Sequence, residues 1–272
     1  MIALISPALM SVTRRAKEGA AFGEIMGLSN ACDSFKAKHG VYPPSSITLY
    51  ERWQDWSLPA ARPHKALIRR IFGTEFDFEN RDPATNVPRN RDINGNGIDT
   101  ETLVLSGSEC LVFFLGGMPE KNGALFEVTG FSSNRRDPFS RVGSSRDKFF
   151  ARFDNGRLID TNGNGMPEYV SQYQSDQTTS PMLYFSLTRT SRYEPTDCPG
   201  TLTSVYMRSP SIAWMPDSFQ IVTPGYGGEY GVGGEYASDA ANVQLAFDPD
   251  PAKNREPERD NITNFSGGRL AD

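Results

Sequence analysis

Apolar and polar positions split the chain into a long opening rod and a later mosaic of short patches. The first twelve residues carry no charge and include Ile2, Leu4, Ile5, Leu9 and Val12, with Pro7 in their midst; Arg14-Arg15 ends the run. Apolar residues then recur at spacings of three and four, at Phe22, Ile25, Leu28, Cys32 and Phe35, the period of one helix face. Lys17, Glu18, Glu24, Asp33 and Lys38 fill the other faces. The pattern predicts one helix over residues 2–38. Pro7 removes a single backbone donor and should bend that helix without ending it. Gly40 suits its C-cap, and Pro43-Pro44 prevents continuation.

The opening run is too short to span a bilayer, which takes about 20 apolar residues. A secretory signal places its basic residues before the apolar stretch; here the arginines follow it. Residues 1–13 therefore read as the second half of a membrane anchor whose first half is missing from this chain.

Further along, Ala60–Phe72 sets Ala66, Leu67, Ile68 and Ile71 between basic residues and predicts a short surface helix. Residues 80–99 are rich in Asn, Asp, Arg and Pro and read as loop. Ser108–Gly117 reads equally as a short helix or a buried strand. Strands are expected at Phe149–Phe153, Met182–Ser186 and Ser218–Thr223, each rich in aromatic or β-branched residues. The charged, Pro-rich stretch Asp248–Asp260 reads as mobile, and Asn261–Ser266 as docking again at the end.

Composition narrows the function classes. Gly 25 and Pro 19 among 272 residues point to many turns rather than a helical bundle. A net charge of -5 argues against nucleic acid as a partner, since phosphate binding needs a basic face. Two histidines, His39 and His64, leave little for a His-based triad or transition-metal site, and no nucleophile-plus-base constellation is readable, so an enzyme is not expected. Cys32, Cys110 and Cys198 lack the C-x-x-C spacing; a Cys110–Cys198 disulfide, with Cys32 buried on the helix, and three reduced core thiols both remain open.

Two loops carry candidate chemistry. Asp92-Ile93-Asn94-Gly95-Asn96-Gly97 and Asp160-Thr161-Asn162-Gly163-Asn164-Gly165 both read D-x-N-x-N-G. Oxygen ligands at alternate positions, followed by a glycine that lets the chain turn, wrap a hard cation such as Ca²⁺. The backbone carbonyls of Ile98 and Met166 would supply the seventh-position ligand. The bidentate Glu of a complete EF-hand loop is missing, because its place holds Leu103 and Ser171. Asp99 and Glu101 stand in for the first loop and Glu168 for the second, which implies binding in the roughly 10⁻⁴–10⁻³ M class. The bland alternative is that Asn-Gly pairs make tight turns. A glycine-rich stretch, Pro224–Glu235, lacks the following helix of a nucleotide loop and reads as a connection at a sheet edge.

Together these residues resemble the type IV pilin-like proteins, specifically type II secretion pseudopilins of the major type. The likeness lies in the apolar stub with Pro7, Arg14-Arg15 and the amphipathic run to Phe35; in Lys38-His39-Gly40-Val41-Tyr42-Pro43 at the helix exit; and in Ser218–Gly231, similar to the family's last strand and glycine-rich calcium loop. It covers roughly a quarter of the chain. The leader, cleavage-site glycine and N-terminal glutamate are absent, and Gly227 stands where the family's aspartate is expected, leaving Glu229, Glu235 and Asp239 as ligands there.

The resemblance implies an α+β pilin-like fold: a long N-terminal helix (1–44) packed on an antiparallel β-sheet within a head domain (45–272). It implies self-assembly into a helical filament with other pilin-like subunits and an inner-membrane assembly platform, and a head domain in the periplasm or outside the cell. Ile2, Leu4, Ile5, Pro7 and Leu9, with the stripe from Phe22 to Phe35, would form the assembly helix, and Ca²⁺ would be structural. The competing expectation is a secreted or periplasmic calcium-binding adhesion module.

Overall fold

The computed structural model describes residues 5–143, 145–172, 179–187, 192–237 and 244–271, with side chains from Ser11 onward. It is a mixed α+β structure with one long N-terminal helix and small sheets. Helix α1 runs over Ile5–His39 and is not ended by Pro7. It ends as its sequence requires: Lys36, Lys38 and His39 complement the negative end of the helix dipole, and Gly40 adopts φ +75° while its N–H closes on the Lys36 carbonyl at 2.8 Å. Burial begins only at Ala21 and continues at Ile25, Leu28, Cys32 and Phe35; Phe22 is half-buried. Ile2 and Leu4 lie outside the described residues, and only the backbone of Ile5, Pro7 and Leu9 is described.

The chain forms two compact units, and their division falls within α1. The first comprises residues 1–30, 170–185 and 192–272. Its core holds Tyr184, Phe185, Tyr206, Phe219 and Ile221. Strand β10 (Phe219–Thr223) lies between β7 (Leu183–Ser186) and β12 (Ile262–Thr263), the latter antiparallel with Val222 opposite Thr263. In a second small sheet β8 (Tyr206–Ser209) is antiparallel to β9 (Ile212–Ala213) but parallel to β11 (Gly234–Glu235).

The second unit comprises residues 31–169 and 186–191. Strands β1 (Ile47–Tyr50) and β2 (Thr102–Leu105) pair antiparallel with Tyr50 opposite Thr102. Helix α2 (Arg62–Phe72) buries Leu67, Ile68 and Ile71. Helix α3 (Gly107–Gly116) is buried along its whole length, which explains why its apolar run shows no face period. Its start is written in the sequence as Ser106-Gly107-Ser108-Glu109, and the structure makes a reciprocal capping box of Ser106 and Glu109. Hairpins β3/β4 (Pro119–Asn122, Leu125–Val128) and β5/β6 (Leu158–Ile159, Glu168–Tyr169) complete the unit. Phe72, Phe113, Phe131 and Phe139 form an aromatic core, with Phe72 and Phe113 meeting the Phe131 ring at 4.8 and 5.1 Å.

Several expectations change. The single antiparallel sheet is replaced by five small sheets among the described residues. At its C-terminal end α1 packs on α3, with Phe35 edge-on against Phe114 at 6.0 Å and against Phe150 at 5.2 Å. Phe149–Phe153 is not a strand, because the N–H groups of Phe150 and Ala151 both turn to the Leu115 carbonyl at the end of α3. Of the two cysteine states left open, the structure has the reduced one: Cys32, Cys110 and Cys198 are all buried as thiols. The end of the charged tail is fixed, since Glu258 is fully buried against Arg255.

Candidate functional site

The two D-x-N-x-N-G loops fold alike. In the first, Asp92 Oδ1 accepts from Gly95 and Asn96 N–H at 2.7 and 3.1 Å, and Oδ2 from Gly97 at 3.0 Å. In the second, Asp160 Oδ1 accepts from Gly163 and Asn164 at 2.8 and 3.1 Å, and Oδ2 from Gly165 at 2.9 Å. The asparagine oxygens repeat as well: Asn94 and Asn162 accept from the Asn two residues on, and Asn96 and Asn164 from Ile98 and Met166 N–H.

Each loop is held by two glutamates. Antiparallel pairing of β1 with β2 brings Glu51 and Glu101 together at one end of the ladder. Glu51 accepts from Ile93 N–H (2.8 Å) and Glu101 N–H (3.0 Å), while Glu101 Oε2 accepts from the side-chain amides of Asn94 (2.9 Å) and Asn96 (2.6 Å). The second loop connects β5 to β6, and Glu168 on β6 accepts from Thr161 N–H (2.9 Å) and its hydroxyl (2.7 Å). Its counterpart to Glu101 is Glu109, the capping residue of α3, whose Oε1 accepts from Asn162 (3.0 Å) and Asn164 (2.7 Å).

These carboxylates are short of positive charge. Glu51 and Glu109 are each 1% exposed and Glu168 is 5%. Among the described residues no ion pair involves Glu51, Glu101, Glu109 or Glu168. Burial pushes Glu51 up to about 7 against the pull of its two N–H donors, and Asp92 and Glu101 add to the rise. Burial likewise pushes Glu168 up to about 7 despite its bonds from Thr161, helped by Glu109 and Asp160. A guanidinium beside the first loop, Arg141, donates to the carbonyls of Asp92 (3.0 Å) and Ile93 (2.6 Å). It lies so close that a Cβ at Gly95, where φ is +77°, would fall 2.7 Å from it.

The sequence-derived ligands thus gather in two clusters within one unit. Asp99 is the exception: its Oδ1 accepts from the Asn90 amide at 3.5 Å, and among the described residues no hydrogen bond joins it to the loop asparagines. Glu51 and Glu109 were missed. Glu109 was legible as the fourth residue of a capping box, whereas nothing near Glu51 in sequence marks it. Among the described residues no three His, Cys, Asp or Glu side chains share one metal-sized centre, so a cation would rest largely on amide and carbonyl oxygens. That is a hard donor set, suited to Ca²⁺ rather than to Zn²⁺ or Cu²⁺.

The glycine-rich stretch is organised without such a cluster. Glu258 Oε1 accepts from Val232 (3.0 Å) and Gly233 (2.9 Å), and both its oxygens pair with Arg255. Gly233 has φ +78° and abuts the Ser204 carbonyl, so no side chain fits there. Asp239 lies outside the described residues. No helix among the described residues is long and apolar enough to cross a membrane. Compared with known proteins, the chain matches no family model, no curated protein and no solved structure.

Proposed function

We propose that the chain is a pilin-like subunit of a type II secretion pseudopilus or related filament, anchored and assembled through α1, with cation-braced loops in its head. The observation that carries this reading is the uneven burial of α1. None of residues 11–20 is buried, whereas the turns from Ala21 onward carry the core stripe. Its own unit touches this stretch through ion pairs, Arg14 with Asp260 at 2.9 Å and Glu18 with Arg269 at 3.5 Å, and not through buried apolar side chains; such a helix end gains little from propensity alone and is stabilised by packing against a partner. Gly19, Gly23 and Gly27, one turn apart, have open space where each Cβ would stand, a flat strip on which another helix can approach closely. Burying each large apolar side chain in such contacts contributes about 1.5–3 kcal/mol. In this reading the subunit sits in the bacterial inner membrane, with its head periplasmic or extracellular.

The head loops support the cation. Buried carboxylates without a cationic partner are costly. Ca²⁺ held by Asp92, Asn94, Asn96 and the Ile98 carbonyl, and by Asp160, Asn162, Asn164 and the Met166 carbonyl, would offset that charge, with Glu51, Glu101, Glu109 and Glu168 behind them. Metal binding would then add to folding stability.

Detergent phase partition of the protein made by its own cells tests the reading. Recovery in the detergent phase is expected. Recovery in the aqueous phase, with calcium still bound, would replace it with the calcium-binding adhesion module.

A further inference from the structure

The two loops touch. Asn94, third in its loop and 4% exposed, splits its amide N–H donors between Glu101 of its own loop (2.9 Å) and the backbone carbonyl of Asn164 in the other (2.8 Å). Asn164 is fifth in the second loop, with its oxygen on Met166 N–H (2.8 Å) and its amide on Glu109 (2.7 Å). Nothing can come between them: Gly165 has φ +79°, and a Cβ there would lie 2.9 Å from the Asn94 Cβ.

We propose that the two loops bind their cations cooperatively, occupancy of the Asp160–Glu168 loop raising the affinity of the Asp92–Glu101 loop through the Asn94 amide. This rests on the cation reading above. A cation in the second loop recruits the Asn164 oxygen and the Met166 carbonyl and so fixes the intervening backbone. The Asn164 carbonyl then holds the nitrogen of the Asn94 amide. Because that amide is planar, its oxygen is held on the side of the first loop, ready as third-position ligand. By linkage the effect is mutual.

Calorimetric titration of the full chain with Ca²⁺ alone tests this. Asp160→Ala reports the first loop by itself, and Asp92→Ala the second. The product of the two wild-type association constants, divided by the product of these single-loop constants, gives the coupling factor. A factor of at least about five is expected. Asn94→Asp keeps an oxygen ligand but cannot donate to the Asn164 carbonyl, so in that background the factor should fall to within about twofold of unity. A wild-type factor at or below unity, or one that Asn94→Asp leaves intact, overturns the coupling while two saturable events still uphold cation binding. No binding up to ~10 mM Ca²⁺, well above the expected weak class, refutes the cation reading and the coupling with it. If a single-loop variant does not fold, the wild-type isotherm decides: a Hill coefficient above one supports the coupling, and a value of one overturns it.

Discussion

Glu109 stands where the packing of α3 and the geometry of the second loop meet, and removing it separates those roles. In Glu109→Ala three accepted bonds disappear: those from Ser106 N–H, Asn162 and Asn164. Bonds to a charged group contribute about 1.5–3 kcal/mol each, so the low end of their sum is about 4.5 kcal/mol. Relief from keeping a carboxylate at 1% exposure offsets part of that, leaving a net loss of about 3 kcal/mol. Ser106→Ala is the control. It removes only the long cap bond from Glu109 N–H at 3.4 Å and should cost about 1 kcal/mol. Calorimetric melting in chelator should show Glu109→Ala falling by about 6–12 °C and Ser106→Ala by about 2–4 °C. Equal shifts would refute the reasoning, since Glu109 would then act as a helix cap and nothing more.

Other consequences follow from the same geometry. Chelating calcium should lower the melting temperature of the wild-type chain, and unchanged melting in EDTA would count against a structural metal. Burial holds the His39 imidazole below its usual value despite its bond to the Ile71 carbonyl. The unfolded chain therefore binds more protons below about pH 6.5, and the stability that neutral His39 contributes is lost as pH falls through that range. His39→Asn should lose less stability than wild type between about pH 7.5 and 5.5 in urea denaturation; identical losses would contradict this. Glu258→Ala strands the Arg255 guanidinium and two backbone donors, and should cost about 3–5 kcal/mol, with faster hydrogen exchange at Val232 and Gly233. Unchanged exchange there would show that the glycine-rich stretch is held by something else.

Much of this was legible locally. The three-four spacing from Phe22 to Phe35, with Gly40 and Pro43-Pro44 beyond, located the end of α1 to within one residue. Short strands flanked by turn residues, such as Ser218–Thr223, could be read in the same way. Legibility failed where tertiary contacts decide. Ile47–Tyr50 and Thr102–Leu105 become strands by pairing across more than fifty residues, and the loop between them gives no hint of that partner. Phe149–Phe153 has strand composition, but its N–H groups are taken by a helix terminus. The candidate site divides likewise. The D-x-N-x-N-G loops display their own oxygens, whereas Glu51 is delivered by strand register and the contact between Asn94 and Asn164 arises only on folding.

The claim that α1 is an assembly helix is tested most directly by cross-linking. Cys32, Cys110 and Cys198 are buried, so cysteines placed singly at Gly19, Gly23 and Gly27 would be the reactive thiols. A bis-maleimide applied to membranes from cells making each variant should yield covalent dimers of this chain. Monomers at all three positions, with each new thiol shown to be labelled, would contradict assembly through this helix.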